Sequence, residues 1–137
     1  VNLVEIFEKS KAFLEANAWG QTADRQEDSE APDGFKYCAQ GAMVYGAFGA
    51  VGYCTTNAHY HEGDCEPDED GDCWRGPSGE RDKSFKAARE FLDDLTQKIS
   101  DRPYAGLTWY NDDLCRTKED MIAVFDKAIE KAREGTA

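Results

Sequence analysis

KYCAQGAMVYGAFGAVGY, residues 36–53, is the stretch that decides how this chain folds. Alanine and glycine dominate it, and Cys38, Gly41, Ala42, Tyr45, Phe48 and Gly49 fall on one helical stripe. A stripe of such small side chains lets a second helix approach closely, because interaxial distance follows the side chains at the contact. The glycine spacing matches no phosphate-cradling loop, and no clear strand precedes it. The segment therefore reads as a buried helix inside a helical core.

Working outward, the N-terminal side carries Leu3, Ile6, Phe7, Phe13 and Leu14 at helical spacing, between Asn2 as a cap and Gly20 as a stop just past Trp19. Residues 20–35 are polar and contain Pro32 and an Asp33-Gly34 turn signal, which predicts a loop or short hairpin. On the other side, residues 51–82 break all periodicity. A third helix is expected from Asp82 or Lys83, with Phe85, Ala88, Phe91, Leu92, Leu95 and Ile99 as its apolar face and SDRP, residues 100–103, as its end. YAGLTWYND, residues 104–112, alternates and reads as extended. Thr117 and Asp120 resemble a capping box that opens a fourth helix with Met121, Val124, Phe125, Ala128, Ile129 and Ala132 facing the core. The expectation is a mainly α fold: one domain over residues 1–137, a compact bundle of about four helices with room for a short two-stranded element. A long acidic insertion bearing Cys and His, residues 51–82, separates helices two and three.

The net charge of −12 is concentrated. Residues 24–33 contribute −4, and residues 62–72 hold seven acids and no base. No basic stripe exists to displace counterions from phosphates, so direct binding to nucleic acid is not expected. No apolar run is long enough for a bilayer, and the N-terminus follows an amphipathic helix pattern instead of a secretory leader. A start at Val1 is compatible with a removed initiator Met. The expected location is cytoplasmic, with no membrane partner.

Five cysteines, an odd number, without a leader point to reduced thiols or metal ligands ahead of a disulfide framework. Cys54, His59, His61, Cys65 and Cys73 form the pattern C-x4-H-x-H-x3-C-x7-C, whose thiolate and imidazole donors suit a structural zinc that orders the insertion. A disulfide or free thiols are the alternatives. The acids from Glu66 to Asp72 fail as a calcium loop, because the twelfth position is Pro77 where a Glu is required.

Three short motifs sit at the ends of the expected elements: W-x-Q at Trp19 to Gln21, C-A-x-G-A at Cys38 to Ala42, and W-x-N-D at Trp109 to Asp112. With Arg116-Thr117 and the run Asp126 to Ile129, the chain resembles an uncharacterised domain family of actinobacteria and their phages. The resemblance implies a phage-type accessory protein and brings no activity or catalytic residues with it. The long segment after the second helix departs from the shorter connection expected of that family.

Trp19, Gln21, Cys38, Trp109, Asn111 and Asp112 are thus expected at one corner, where indole faces and amide groups could hold a ring-bearing polar ligand. The competing reading makes the indoles core residues, Asn111 and Asp112 helix caps, and Gln21 a donor to a loop carbonyl. The leading functional expectation is a non-enzymatic protein that binds a small polar or nucleotide-like ligand, for instance to sequester a host immune signal. One alternative is an acidic module that engages a basic host protein or mimics DNA. Another is a hydrolase or transferase using Cys38, supported only by the order Cys38, His59 or His61, then Asn111.

Overall fold

A computed structural model describes residues 2–21, 25–49 and 80–136. The first helix, α1, spans Leu3–Ala16. Asn2 starts it by accepting a hydrogen bond from the Glu5 N–H at 3.0 Å, and Ile6, Phe7, Ser10 and Leu14 form its buried stripe. It ends earlier than the sequence suggests. Asn17 turns extended while its side chain donates to the Phe13 carbonyl, and Trp19 moves into a strand.

That strand, β1, covers Ala18–Trp19, followed by β2 at Arg25–Glu27 and β3 at Phe35–Tyr37. The order is β1-β3-β2, with β1 parallel and β2 antiparallel to the central β3. The β2–β3 hairpin is the one anticipated from Pro32 and the Asp-Gly signal. Gly34 adopts φ 85°, and the Asp33 carboxylate accepts from both the Phe35 N–H and the Tyr37 hydroxyl.

The Ala/Gly-rich stretch forms α2, Ala39–Phe48, closed by Gly49 in the left-handed region at φ 78°. Gly46 explains its composition. A Cβ there would overlap the Ser10 hydroxyl and lie 2.6 Å from the Ile6 carbonyl oxygen of α1, so only hydrogen fits. Ser10 is itself buried and satisfied by donating to Ile6 O at 2.7 Å. Above this contact Phe13 stacks on Tyr45 with centroids 4.5 Å apart and meets Tyr37 edge-on.

Helix α3 spans Glu80–Ser100 and buries Phe85, Ala88, Leu92 and Leu95 as its periodicity requires. Its last turn corrects one residue: Ile99 is 43% exposed, and Thr96 is buried instead. The Thr96 hydroxyl lies 2.7 Å from the Ala105 carbonyl and folds the following segment back on the helix. From Leu107 onward the segment expected to be extended is accordingly helical. Leu107–Trp109 form a short helix, α4, running into a π-helical turn at Tyr110–Leu114, and Asp93 caps α4 by accepting from the Leu107 N–H at 2.7 Å. The last helix, α5, spans Lys118–Thr136, and the anticipated box is present: Thr117 and Asp120 accept from each other's backbone N–H at 3.2 Å. All six core residues expected of it are buried.

The observed fold is thus mainly helical with a small three-stranded sheet. Among the described residues no helix is long and apolar enough to cross a membrane. Replacing Gly46 with Ala forces α1 and α2 apart and should lower stability by about 1–3 kcal/mol, the usual cost of overpacking, measurable as a shifted urea midpoint.

Candidate functional site

Sequence placed six residues at one corner, and the fold brings four of them, Trp19, Gln21, Asn111 and Asp112, into one hydrogen-bonded group, with Cys38 next to its Ala39 contact. Asn111 is its centre and is 1% exposed. Its Oδ1 accepts from the Trp19 indole N–H at 2.9 Å and from the Ala39 N–H at 3.1 Å. Its Nδ2 donates to the Gly20 carbonyl at 3.2 Å and to Asp112 Oδ1 at 2.9 Å. Indole and backbone N–H groups can only donate, so the amide orientation is fixed by its partners, and all four of its bonds are engaged. Ala39 is the first residue of α2, and Cys38 at its N-cap forms no side-chain cap; Asn111 supplies that acceptor from another element.

The π-helical turn makes the rest possible. Its wider ring, closed by the Cys115 N–H donating to the Tyr110 carbonyl at 3.0 Å, releases carbonyls from the usual helical ladder. Gln21 takes them up: its Nε2 reaches the carbonyls of Asn111, Asp112 and Cys115 at 3.2, 2.8 and 3.1 Å. Gln26 then donates to the Gln21 carbonyl at 2.7 Å and ties in the hairpin. This arrangement ties β1, α2 and the π-helical turn together.

Trp109 has different neighbours. Tyr104 meets it edge-on at 5.1 Å, and the Arg102 guanidinium lies 5.6 Å from its ring centroid. Cys38 is buried, as is Cys115, whose thiol lies 3.8 Å from the Met121 sulfur. Burial, with a smaller effect from Asp120, pushes the Cys115 thiol up to about 12. Cys54, His59, His61, Cys65 and Cys73, and with them the histidines of any Cys-His-Asn arrangement, lie outside the described residues. Among the described residues no three Cys, His, Asp or Glu side chains are grouped to hold a metal ion.

The profile of a family of unknown function, DUF6197, matches residues 1–131. The chain belongs to this family. No curated protein matches the chain, and no solved structure does.

Among the described residues, the concave surfaces of this DUF6197 member are not lined by the four residues grouped around Asn111. A groove of about 590 Å³ runs between α3 and α5, with Leu95, Ile99, Tyr110 and Val124 as its apolar lining and Lys98, Lys127, Lys131 and Asp120 along it. Such a volume is that of a small-molecule site. Lys98 pairs with Asp94 at 2.8 Å and Lys131 with Glu134 at 3.7 Å, both exposed pairs within one helix; Lys127 has no ion-pair partner among the described residues. A second hollow between α1 and α5 differs in kind: carboxylates outnumber cations along it, and both cations pair, Lys11 with Asp126 at 2.6 Å and Arg133 with Glu8 at 2.9 Å. The groove residues were missed in sequence because Leu95, Ile99 and Val124 read as core. The available signal was the spacing of Asp120, Val124, Lys127 and Lys131, which places them on one face of α5.

Two outcomes follow. Asn111→Ala strips the acceptor from the Trp19 indole and the Ala39 N–H, each costing about 1–3 kcal/mol when buried unpaired, so a loss near 3 kcal/mol is expected in denaturant unfolding. Because the folded state holds Cys115 protonated, its contribution to stability is complete below about pH 9 and disappears as pH rises toward about 12. Urea melts across that range should decline less steeply for Cys115→Ala than for the native chain.

Proposed function

We propose that the protein is a non-enzymatic binding protein for a small anionic ligand that carries a ring or other apolar part, and that the groove between α3 and α5 is its seat. The observation that carries this reading is the groove itself: three lysines along an apolar lining, in a chain of net charge −12. Cations concentrated in one place on an acidic protein favour an anionic partner, and the aromatic Tyr110 beside them suits a ring. The corner around Asn111 supports the reading by contrast, since its amide has no hydrogen bond left to offer a ligand. A nucleotide-like molecule has the required chemistry. Together with the resemblance to an actinobacterial and phage family, this makes sequestration of a nucleotide-derived host signal the biological version of the proposal.

Isothermal titration with a panel of nucleotides and inorganic phosphates should give heat with at least one ring-bearing anion, weakening as salt rises. Reversing two charges by Lys127→Glu with Lys131→Glu should lower that affinity at least about tenfold while the melting temperature stays unchanged, both lysines being exposed. Silence across the panel, or undiminished binding by the double variant, would overturn the assignment.

A further inference from the structure

The charges in the groove are ordered along its length. Asp120, Val124, Lys127 and Lys131 share one face of α5, and eleven residues at 1.5 Å each separate the carboxylate end from the last lysine by roughly 16 Å. Tyr110 belongs to the carboxylate end: its carbonyl accepts from the Cys115 N–H, and the residue after Cys115, Arg116, donates its N–H to Asp120. Asp120 stays ionised there. Backbone N–H groups of Arg116 and Thr117 bind its Oδ2 and hold its carboxyl below the usual range, while Oδ1 has no hydrogen-bond partner among the described residues. Lys98 stands on the facing wall, and its pairing with Asp94, like that of Lys131 with Glu134, is of the exposed kind that gives way readily to a stronger anion.

We infer that the groove reads a nucleoside polyphosphate end to end, with its phosphates at Lys127 and Lys131, its base against Tyr110, and an exocyclic amine of that base donating to Asp120. This rests on the groove being the ligand seat proposed above. The polarity selects among anions. A fatty acid leaves the carboxylate end without a donor, and an acidic amphipathic helix laid along α5 meets repulsion at Asp120. Inorganic polyphosphate satisfies the lysines but leaves Tyr110 uncovered. A molecule with a multiply charged anionic end, a flat ring and an amine at the far side meets all three.

The test uses the full chain, adenosine triphosphate, purine riboside triphosphate, which lacks only the exocyclic amine, and inorganic triphosphate. Titrations are run on the native protein, on Asp120→Asn and on the Lys127→Glu, Lys131→Glu variant. Asparagine can still cap α5 through its carbonyl oxygen, so Asp120→Asn should melt like the native chain. The native protein should prefer adenosine triphosphate over both other probes by about tenfold or more, the discrimination that a charged hydrogen bond supplies. In Asp120→Asn the preference for the amine should fall several-fold while affinity for purine riboside triphosphate is kept or rises. A capping role alone would not move that ratio. Lysine-sensitive binding with no preference for the amine, or equal affinity for inorganic triphosphate, overturns the end-to-end reading and leaves the groove as an anion seat. Absence of adenosine triphosphate binding, or binding indifferent to the lysine reversals, overturns it together with the seat.

Discussion

One buried amide holds together the parts of this fold that helix packing alone leaves loose. Asn111 accepts from the Trp19 indole and from the first N–H of α2, and donates to Gly20 and Asp112. Helices α1 and α2 are fixed to each other by the absence of a side chain at Gly46, while α5 packs its apolar stripe on α1 and α3 packs on α2. The strands are only two or three residues long, too short to be stable by themselves. Hydrogen bonds from Asn111 and Gln21 anchor them to the π-helical turn, whose released carbonyls Gln21 takes up. Sheet, turn and start of α2 therefore stand or fall as one unit.

The residues that sequence could read are those whose signal is local. Leu92 and Leu95 in α3, and Val124, Phe125 and Ala128 in α5, repeat at helical spacing and are buried. Thr117 and Asp120 cap α5 within four residues of chain. The small residues of α2 announced a close neighbour, but the contact falls at Gly46, outside the stripe expected from Cys38 to Gly49, where Ser10 and Ile6 of α1 approach. Misreadings occurred where a distant partner decides. Leu107 and Trp109 alternate like a strand, yet Asp93, fourteen residues earlier, caps them into a helix. Trp19 continues the periodicity of α1, but its register with Tyr37 pulls it into a sheet. The W-x-Q and W-x-N-D motifs were correctly placed near one another; what spacing could not convey is that their polar atoms face each other.

The groove was illegible for a related reason. A site shared by the flanks of two helices leaves no motif in either, and Ile99 looks in sequence like one more turn of the core. In the fold Leu95 is buried while Ile99 is exposed, and Lys98 lines the groove together with the lysines of α5. The contrast with the α1–α5 hollow shows why the presence of cations alone is a poor guide: there Lys11 and Arg133 are each paired with a carboxylate, whereas Lys127 has no ion-pair partner among the described residues.

The link between Trp19 and Asn111 also bears on the order in which the molecule assembles. It joins residues 92 positions apart, whereas α1, the hairpin and α2 are neighbours along the chain. Bringing such distant segments together carries a larger loop-closure entropy than local pairing, which favours formation of these bonds after the N-terminal helices have met. Interactions absent from the folding transition state act chiefly on the rate of escape from the native state. On that order of events the amide at position 111 is a latch on kinetic lifetime: its loss is expected to leave the speed of folding nearly intact and to shorten the time the finished structure persists.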